Sequence, residues 1–233
     1  KVTVVYKKLP KELISDVNSV LEIDDSDKVL GHELFQGGDK EVYNMSTDIF
    51  VVDTPFLIEK LEEEAAKEEP RKLRYVLRDL AVAENAFAYE YTGYLSNIHS
   101  VKAYFDANLD MLESEKFYKL FAPNQKVYTK VKNEEPTYYA ASSEVKVSQF
   151  ASGSIVRGKV EHSVVSRNVD LAEGSSVSYS VLFPRVTVGK GATVEYAIVD
   201  KGVEIAEGVT IRGTENNPVV IKKGSVVTED IVR

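Results

Sequence analysis

The sequence predicts two fold classes in one chain: an α/β region over roughly the first half, then a left-handed parallel β-helix of hexapeptide repeats from about Val145 to the end. Three observations carry this. Apolar residues recur every 17 positions through the last third, and such self-similarity is the mark of a repeat architecture. Inside each period the unit is six residues, as in VGKGAT (188–193) followed by VEYAIV (194–199), so that three units with one residue missing make a coil. Upstream that period is absent, and strand-like runs alternate with helix-like patterns, as layered α/β structures require.

The first element is a strand, Val2–Tyr6 (VTVVY). Leu21–Ile23 and Lys28–Leu30 read as short strands around an Asp-rich turn (Asp24, Asp25, Asp27), a cluster without the spacing of a calcium loop. The continuous apolar run Ile49–Val52 predicts a buried strand. A helix is expected next, with Thr54 as its N-cap, Pro55 in its first turn, and Leu57, Ile58, Leu61 and Ala65 on its inward face. Pro70 bounds it, and its acidic run Glu62–Glu69 is expected on a solvated face. Leu73, Val76, Leu77 and Leu80 mark a second helix, and Phe87, Tyr89 and Tyr91 alternate as a strand. Ser100 caps a third helix with the apolar face Val101, Tyr104, Phe105, Leu109 and Leu112. Ala122–Ser142 holds Pro123 and Pro136 and little periodicity, so it reads as a linker. The domain organisation is therefore 1–121, a linker 122–142, and a β-helix 143–233.

In the repeats, Val160, Val177, Val194 and Ile211 form one column. Val164, Val181 and Ile198 form a second, and Val165, Leu182 and Val199 a third. Val169, Val186 and Val203 make a fourth, and Leu171, Val188 and Ile205 a fifth. Each period then has a small residue (Ala172, Gly189, Ala206) and, two further on, glycine (Gly174, Gly191, Gly208). Branched aliphatics suit the stacked flat strands, and glycine suits corners that need a positive φ. About four or five coils are expected, with all five columns inside and Gly213–Pro218 (GTENNP) as an excursion. An ordinary β-sandwich would not keep these columns in one register.

Composition excludes several classes. The net charge of −8 among 233 residues argues against nucleic acid or an anionic membrane as a partner. The absence of cysteine removes disulfides and thiolate metal sites. No apolar run approaches the roughly 18 residues of a membrane span, and no signal peptide opens the sequence. The expectation is a cytoplasmic protein.

The runs Ile49–Asp53 (IFVVD), Gly93–Met111 (GYLSNIHSVKAYFDANLDM) and Ser180–Lys201 (SVLFPRVTVGKGATVEYAIVDK) together carry a resemblance. The chain resembles the sugar-1-phosphate nucleotidyltransferases, and within them the glucose-1-phosphate adenylyltransferases of glycogen synthesis. The resemblance covers essentially the whole sequence. It implies that residues 1–121 are the C-terminal half of a Rossmann-like nucleotidyltransferase domain, in a chain that begins beyond the family's glycine-rich nucleotide loop. In the family, Mg²⁺ stabilises the charge that develops when a sugar phosphate attacks the α-phosphorus.

Against that pattern the sequence departs at ligand positions. The carboxylate of the family's Gly-Tyr-Trp-x-Asp falls on Asn97, and the adjoining Trp, Gly and Thr positions hold Leu95, His99 and Ser100. The family's Glu-Lys-Pro is not found in Val29–Gly38. Its Ser-Met-Gly becomes Ser46-Thr47-Asp48, which sets a carboxylate where a sugar phosphate should pass. Mg²⁺ needs hard anionic oxygens, so no catalytic residue and no cofactor is expected in this chain. The pattern resembles the GlgD-type, non-catalytic subunit that pairs with a catalytic GlgC-type homologue in a heterotetramer, with a homo-oligomer as the alternative partner state. Lys201 falls where relatives put an effector-binding lysine, with Arg185 as a companion for a phosphorylated metabolite; the alternative is a solvated turn lysine. Two competing functions are a catalytic nucleotidyltransferase and, further off, a hexapeptide acyltransferase in which His162 would be a base. The columns instead align His162 with Tyr179 and Tyr196, as a surface position. His32 and His99 lack partners at metal-ligand spacing.

Overall fold

A computed structural model describes residues 1–122, 124, 126–130 and 132–233. Pro123, one of the two prolines that mark the expected linker, lies outside the described residues. The chain divides into two compact units, Lys1–Asn97 and Ile98–Arg233. The segment 98–121, expected at the end of the first domain, therefore falls in the second unit. Among the described residues no helix is long and apolar enough to cross a membrane.

In the first unit the strands are β1 (Val2–Pro10), β2 (Ser19–Ile23), β3 (Val29–Leu34), β4 (Val42–Val52) and β5 (Phe87–Glu90), in the sheet order β3-β2-β4-β1-β5. β1 runs antiparallel to β4 and parallel to β5. Helices α1 (Thr54–Ala65) and α2 (Leu73–Ala83) supply Phe56, Val76, Leu80 and Ala81 to a core shared with Val2, Val4 and Tyr6. The Asp-rich turn is tied by Asp24, whose Oδ1 accepts from the amides of Ser26 and Lys28, both at 2.8 Å.

Five local expectations are corrected here, each for a physical reason. The run Ile49–Val52 is not a strand buried on both faces: Phe50 and Val52 pack inward, while Ile49 and Val51 are 55% and 65% exposed. Side chains alternate across a strand, and α1 and α2 pack against the face that carries Val2, Val4 and Tyr6. The same alternation in β5 buries Ala88 and turns Phe87 and Tyr89 outward. The N-cap of α1 is Asp53 rather than Thr54, since Asp53 Oδ1 accepts from Phe56 N–H at 3.1 Å. Finally, α1 faces inward with Phe56 and Glu64, leaving Ile58 and Ala65 exposed. Glu64, expected on a solvated face, is buried because Arg71 folds back onto it, with its amide and Nε donating to Oε1 at 2.9 and 3.0 Å. Those bonds, with that from Lys67, hold the Glu64 carboxyl well below the usual carboxylate range.

The second unit contains α3 (Val101–Leu109), α4 (Ser114–Leu120) and three parallel sheets that wrap into the β-helix. Ser100 caps α3 as expected, its Oγ accepting from Ala103 N–H at 3.1 Å. The register confirms the 17-residue step: Val160 pairs with Val177, Val177 with Val194, and Val194 with Ile211. Two sheets have six strands each, so there are about six rungs rather than four or five. One of the extra strands is Tyr138–Tyr139, which pairs with Ile155–Val156 from within the stretch read as linker. Gly213–Pro218 is an excursion, because Ile198 pairs with Val220 across it.

Four of the five apolar columns fill the interior, where Val160, Leu171, Leu182, Val186, Val194 and Val199 are at most 1% exposed. The column Val164, Val181, Ile198 is the exception. It points outward, since each member precedes an inward residue of the same short strand. Val181 and Ile198 are buried instead beneath Phe105 of α3, with Tyr104 and Leu109. Corner glycines Gly174, Gly191 and Gly208 take φ values of 74, 67 and 73°. At another corner buried serines link the rungs. Ser163 Oγ accepts from Ser180 N–H, and Ser180 Oγ from Ala197 N–H, both at 3.1 Å.

Candidate functional site

The sequence-predicted site residues fall into three local settings. The first is a bulge in β4. Val5 pairs with Ile49 but Tyr6 with Ser46, so Thr47 and Asp48 are extra to the ladder. Such an insertion re-aims side chains. Asp48 takes φ 55°, an unusual conformation that Asp and Asn tolerate better than most residues. Its amide donates to Ser46 Oγ at 3.3 Å, and Thr47 Oγ1 donates to the Val5 carbonyl at 2.9 Å.

The Asp48 carboxylate does not stand free at this bulge. Arg78 of α2, whose side chain is only 8% exposed, places Nη2 at 3.1 and 3.0 Å from the two carboxylate oxygens and Nε at 3.3 Å. Sequence reasoning missed Arg78; the available signal was an arginine two residues after Val76 and two before Leu80, close to the inward face of α2. His32 of β3 belongs to the same neighbourhood. Its Nε2 is 2.9 Å from the Oγ of buried Ser19, and its ring lies 6.0 Å from that of Phe50. Burial first, then the positive charge of Arg78, push His32 down to about 4, with Asp48 acting the other way.

The second setting holds Asn97. Its Nδ2 donates to the Leu13 carbonyl at 3.0 Å and to Asn18 Oδ1 at 2.8 Å, while Asn18 Nδ2 donates back to Asn97 Oδ1 at 3.3 Å. Asn18 is itself fixed by the amide and hydroxyl of Ser15. An amide suits this position because it both donates and accepts; a carboxylate would face the Leu13 carbonyl with no proton to give.

These residues do not fit a divalent cation. Mg²⁺ asks for free anionic oxygens, whereas Asn97 turns a donor into its network and Asp48 is neutralised by Arg78. Among the described residues no group of three or more His, Asp and Glu side chains could hold a metal.

The third setting is a β-helix corner. Asn168, Arg185, Gly202 and Gly224 succeed one another there with φ of 56, 62, 65 and 70°. Gly202 N–H donates to the Pro184 carbonyl at 3.0 Å, so Lys201 and Arg185 sit on neighbouring coils of one corner, both exposed. His162 is at a different corner, stacked on Tyr179 at 4.9 Å, with Tyr179 stacked on Tyr196 at 5.0 Å. That packing makes it a rung of an aromatic column.

An α/β unit joined to a hexapeptide β-helix defines a class of proteins, and comparison narrows it. Residues 131–232 match the family model described as GlmU-like, C-terminal hexapeptide. The glycogen biosynthesis protein GlgD of Bacillus subtilis (strain 168) is 34% identical over 197 residues, 84% of this chain and 55% of that protein. The GlgD of Geobacillus stearothermophilus is 52% identical over 127 residues, 54% of this chain and 37% of that protein. The glucose-1-phosphate adenylyltransferase of Bacillus mycoides (strain KBAB4) is 36% identical over 90 residues, 39% of this chain and 24% of that enzyme. Over 84% of its length the chain is similar to a GlgD protein, and over shorter stretches to glucose-1-phosphate adenylyltransferases. It spans about half the length of the first of these relatives and less of the others.

Proposed function

We propose that this chain is part of a non-catalytic, regulatory or stabilising subunit of a glucose-1-phosphate adenylyltransferase, acting in cytoplasmic glycogen biosynthesis beside a catalytic homologue in a heterotetramer. The reaction served is the formation of ADP-glucose and diphosphate from ATP and glucose 1-phosphate. The observation that carries this reading is the setting of Asn97, whose amide is used on both sides by Leu13 and Asn18. Where the catalytic relatives would use Mg²⁺, this position offers a donor rather than a negative charge, and electrostatic stabilisation is commonly the largest catalytic contribution. The GlgD relatives support the glycogen-biosynthesis part of this reading.

The subunit would act through contact with its partner and through the Lys201 corner, where two cations on neighbouring coils suit a phosphorylated metabolite. The decisive experiment uses the full-length protein, purified free of any homologue, with ATP, glucose 1-phosphate and Mg²⁺. No ADP-glucose is expected from it alone, and a changed rate or activation curve is expected when a catalytic homologue is added. ADP-glucose formation at an ordinary enzymatic rate by the protein alone would overturn the reading in favour of a catalytic subunit. Lys201→Ala should weaken activation in the mixed assembly without changing the unactivated rate, and an unchanged activation curve would return Lys201 to a solvated turn. Sedimentation that gives only monomer, alone and mixed, would refute the assembly.

A further inference from the structure

The outward column of the β-helix continues from Ile198 to Val220, but its cover stops short. Phe105 is 1% exposed over Val181 and Ile198, whereas Val220 is 43% exposed. Where the cover ends, a cavity of about 620 Å³ opens, walled by Ile98, Val101 and Tyr104 on one side and Phe183, Ile198 and Val220 on the other. That volume lies within the roughly 300–1,000 Å³ typical of small-molecule sites, which are mostly apolar with a few polar groups. The rings of Tyr104 and Phe183 are near-parallel, 13° apart with centroids at 6.5 Å, and offer flat walls.

Asp200 also lines this cavity. Its Oδ1 accepts from Lys201 N–H at 2.7 Å, and among the described residues Oδ2 has no hydrogen bond. The start of α3 opposes it with only a partial positive charge of about half a unit, and the Ser100 hydroxyl already meets one of the amides there. His99 lines the cavity as well, and Asp200 is the one acidic side chain among its described lining residues; its full carboxylate charge outweighs the partial charge of the helix start, so the cavity favours a cation over an anion.

We propose that this cavity binds a small planar aromatic molecule bearing an amine, its ring against Tyr104, Phe183 and Val220 and its ammonium on Asp200. The proposal does not depend on the subunit reading. The probe is tryptamine, titrated by NMR against indole-3-acetate, which carries the opposite charge. Tryptamine should bind about tenfold more tightly, as one solvent-reachable charged hydrogen bond allows. Asp200→Asn should erase that preference while keeping the Oδ1 acceptor, and Val220→Trp, at an already exposed position, should fill the space and abolish binding. Equal affinities, no binding at millimolar tryptamine, or binding that survives Val220→Trp would each overturn the proposal. So would self-association that buries Val220, which would make a second copy the occupant.

Discussion

Replacing Asp48 separates two opposing effects that meet at one residue. Its carboxylate neutralises a guanidinium that is 8% exposed, but its own side chain is 44% exposed. Breaking a fully buried pair costs about 3–5 kcal/mol, whereas an exposed pair contributes about 0.2–1 kcal/mol. The mixed exposure argues for about 2 kcal/mol. The backbone acts in the other direction, because φ is 55°. A left-handed conformation costs an ordinary residue roughly 1–2 kcal/mol and glycine almost nothing. Asp48→Ala should therefore lose about 3 kcal/mol, combining the lost pair with the strain. Asp48→Gly should lose only about 1 kcal/mol, and Asp48→Asn, which tolerates the conformation but lacks the charge, should fall between. Urea unfolding followed by tyrosine fluorescence suits a chain with 13 tyrosines and no tryptophan. A double-mutant cycle with Arg78→Met should return a coupling of about 2 kcal/mol. A glycine variant at least as stable as the parent, together with zero coupling, would refute the view that this ion pair holds the bulge.

Three further outcomes follow from the same geometry. His32 sits near 4 in the fold against an ordinary 6.5, so the unfolded chain takes the proton first. Stability should be full above pH 6.5 and fall by about 1–2 kcal/mol toward pH 4, the partly exposed ring reducing the full linkage; His32→Gln should flatten that slope, and an unchanged slope would acquit the histidine. Ser180→Ala should cost about 1–3 kcal/mol by orphaning the buried Ala197 N–H, while the Ser178 carbonyl keeps the Tyr196 amide; Ser178→Ala, which removes a hydroxyl that is not part of the Ser163–Ser180 chain, should change the melt by less than about 0.5 kcal/mol. Val194, fully buried, contributes roughly 1.5–3 kcal/mol, and aspartate there adds an unpaired buried charge. Val194→Asp should unfold the β-helix by circular dichroism and Glu195→Asp should not, so equal melting temperatures would sink the column assignment.

The β-helix was legible because its constraint is periodic. Each rung needs the same residue in the same place, so Val160, Val177, Val194 and Ile211 announce themselves as one column. What the period cannot tell is which side of a two-residue strand a column faces. Val164 and Val165 are equally apolar, and only the cover supplied by Phe105 explains why the outward column is apolar as well. In the α/β unit the errors about burial share one cause. Ile49–Val52 and the acidic run around Glu64 were read from local composition, yet their burial is set by distant partners: helices on one face of the sheet, and Arg71 returning to a carboxylate. Apolarity and charge are properties of a residue, whereas burial belongs to a pair.

The positions that the proposed function treats as altered ligands illustrate the same distinction. As letters, Asn97 stands where the resemblance implies a carboxylate, and Asp48 where it implies a glycine. In the fold, each has local partners, Leu13 and Asn18 for Asn97 and Arg78 for Asp48. An aspartate at 97 would meet the Leu13 carbonyl and Asn18 Oδ1 with no proton to offer, unless Asn18 turned its own amide and gave up its bonds from Ser15. A glycine at 48 would free the bulge but strand Arg78 on the buried side of α2. Restoring the metal and phosphate chemistry would thus require the supporting residues to change with the ligands. That interdependence supports the proposal of a subunit that acts through contact and regulation, with Asn97 and Asp48 helping to hold the fold.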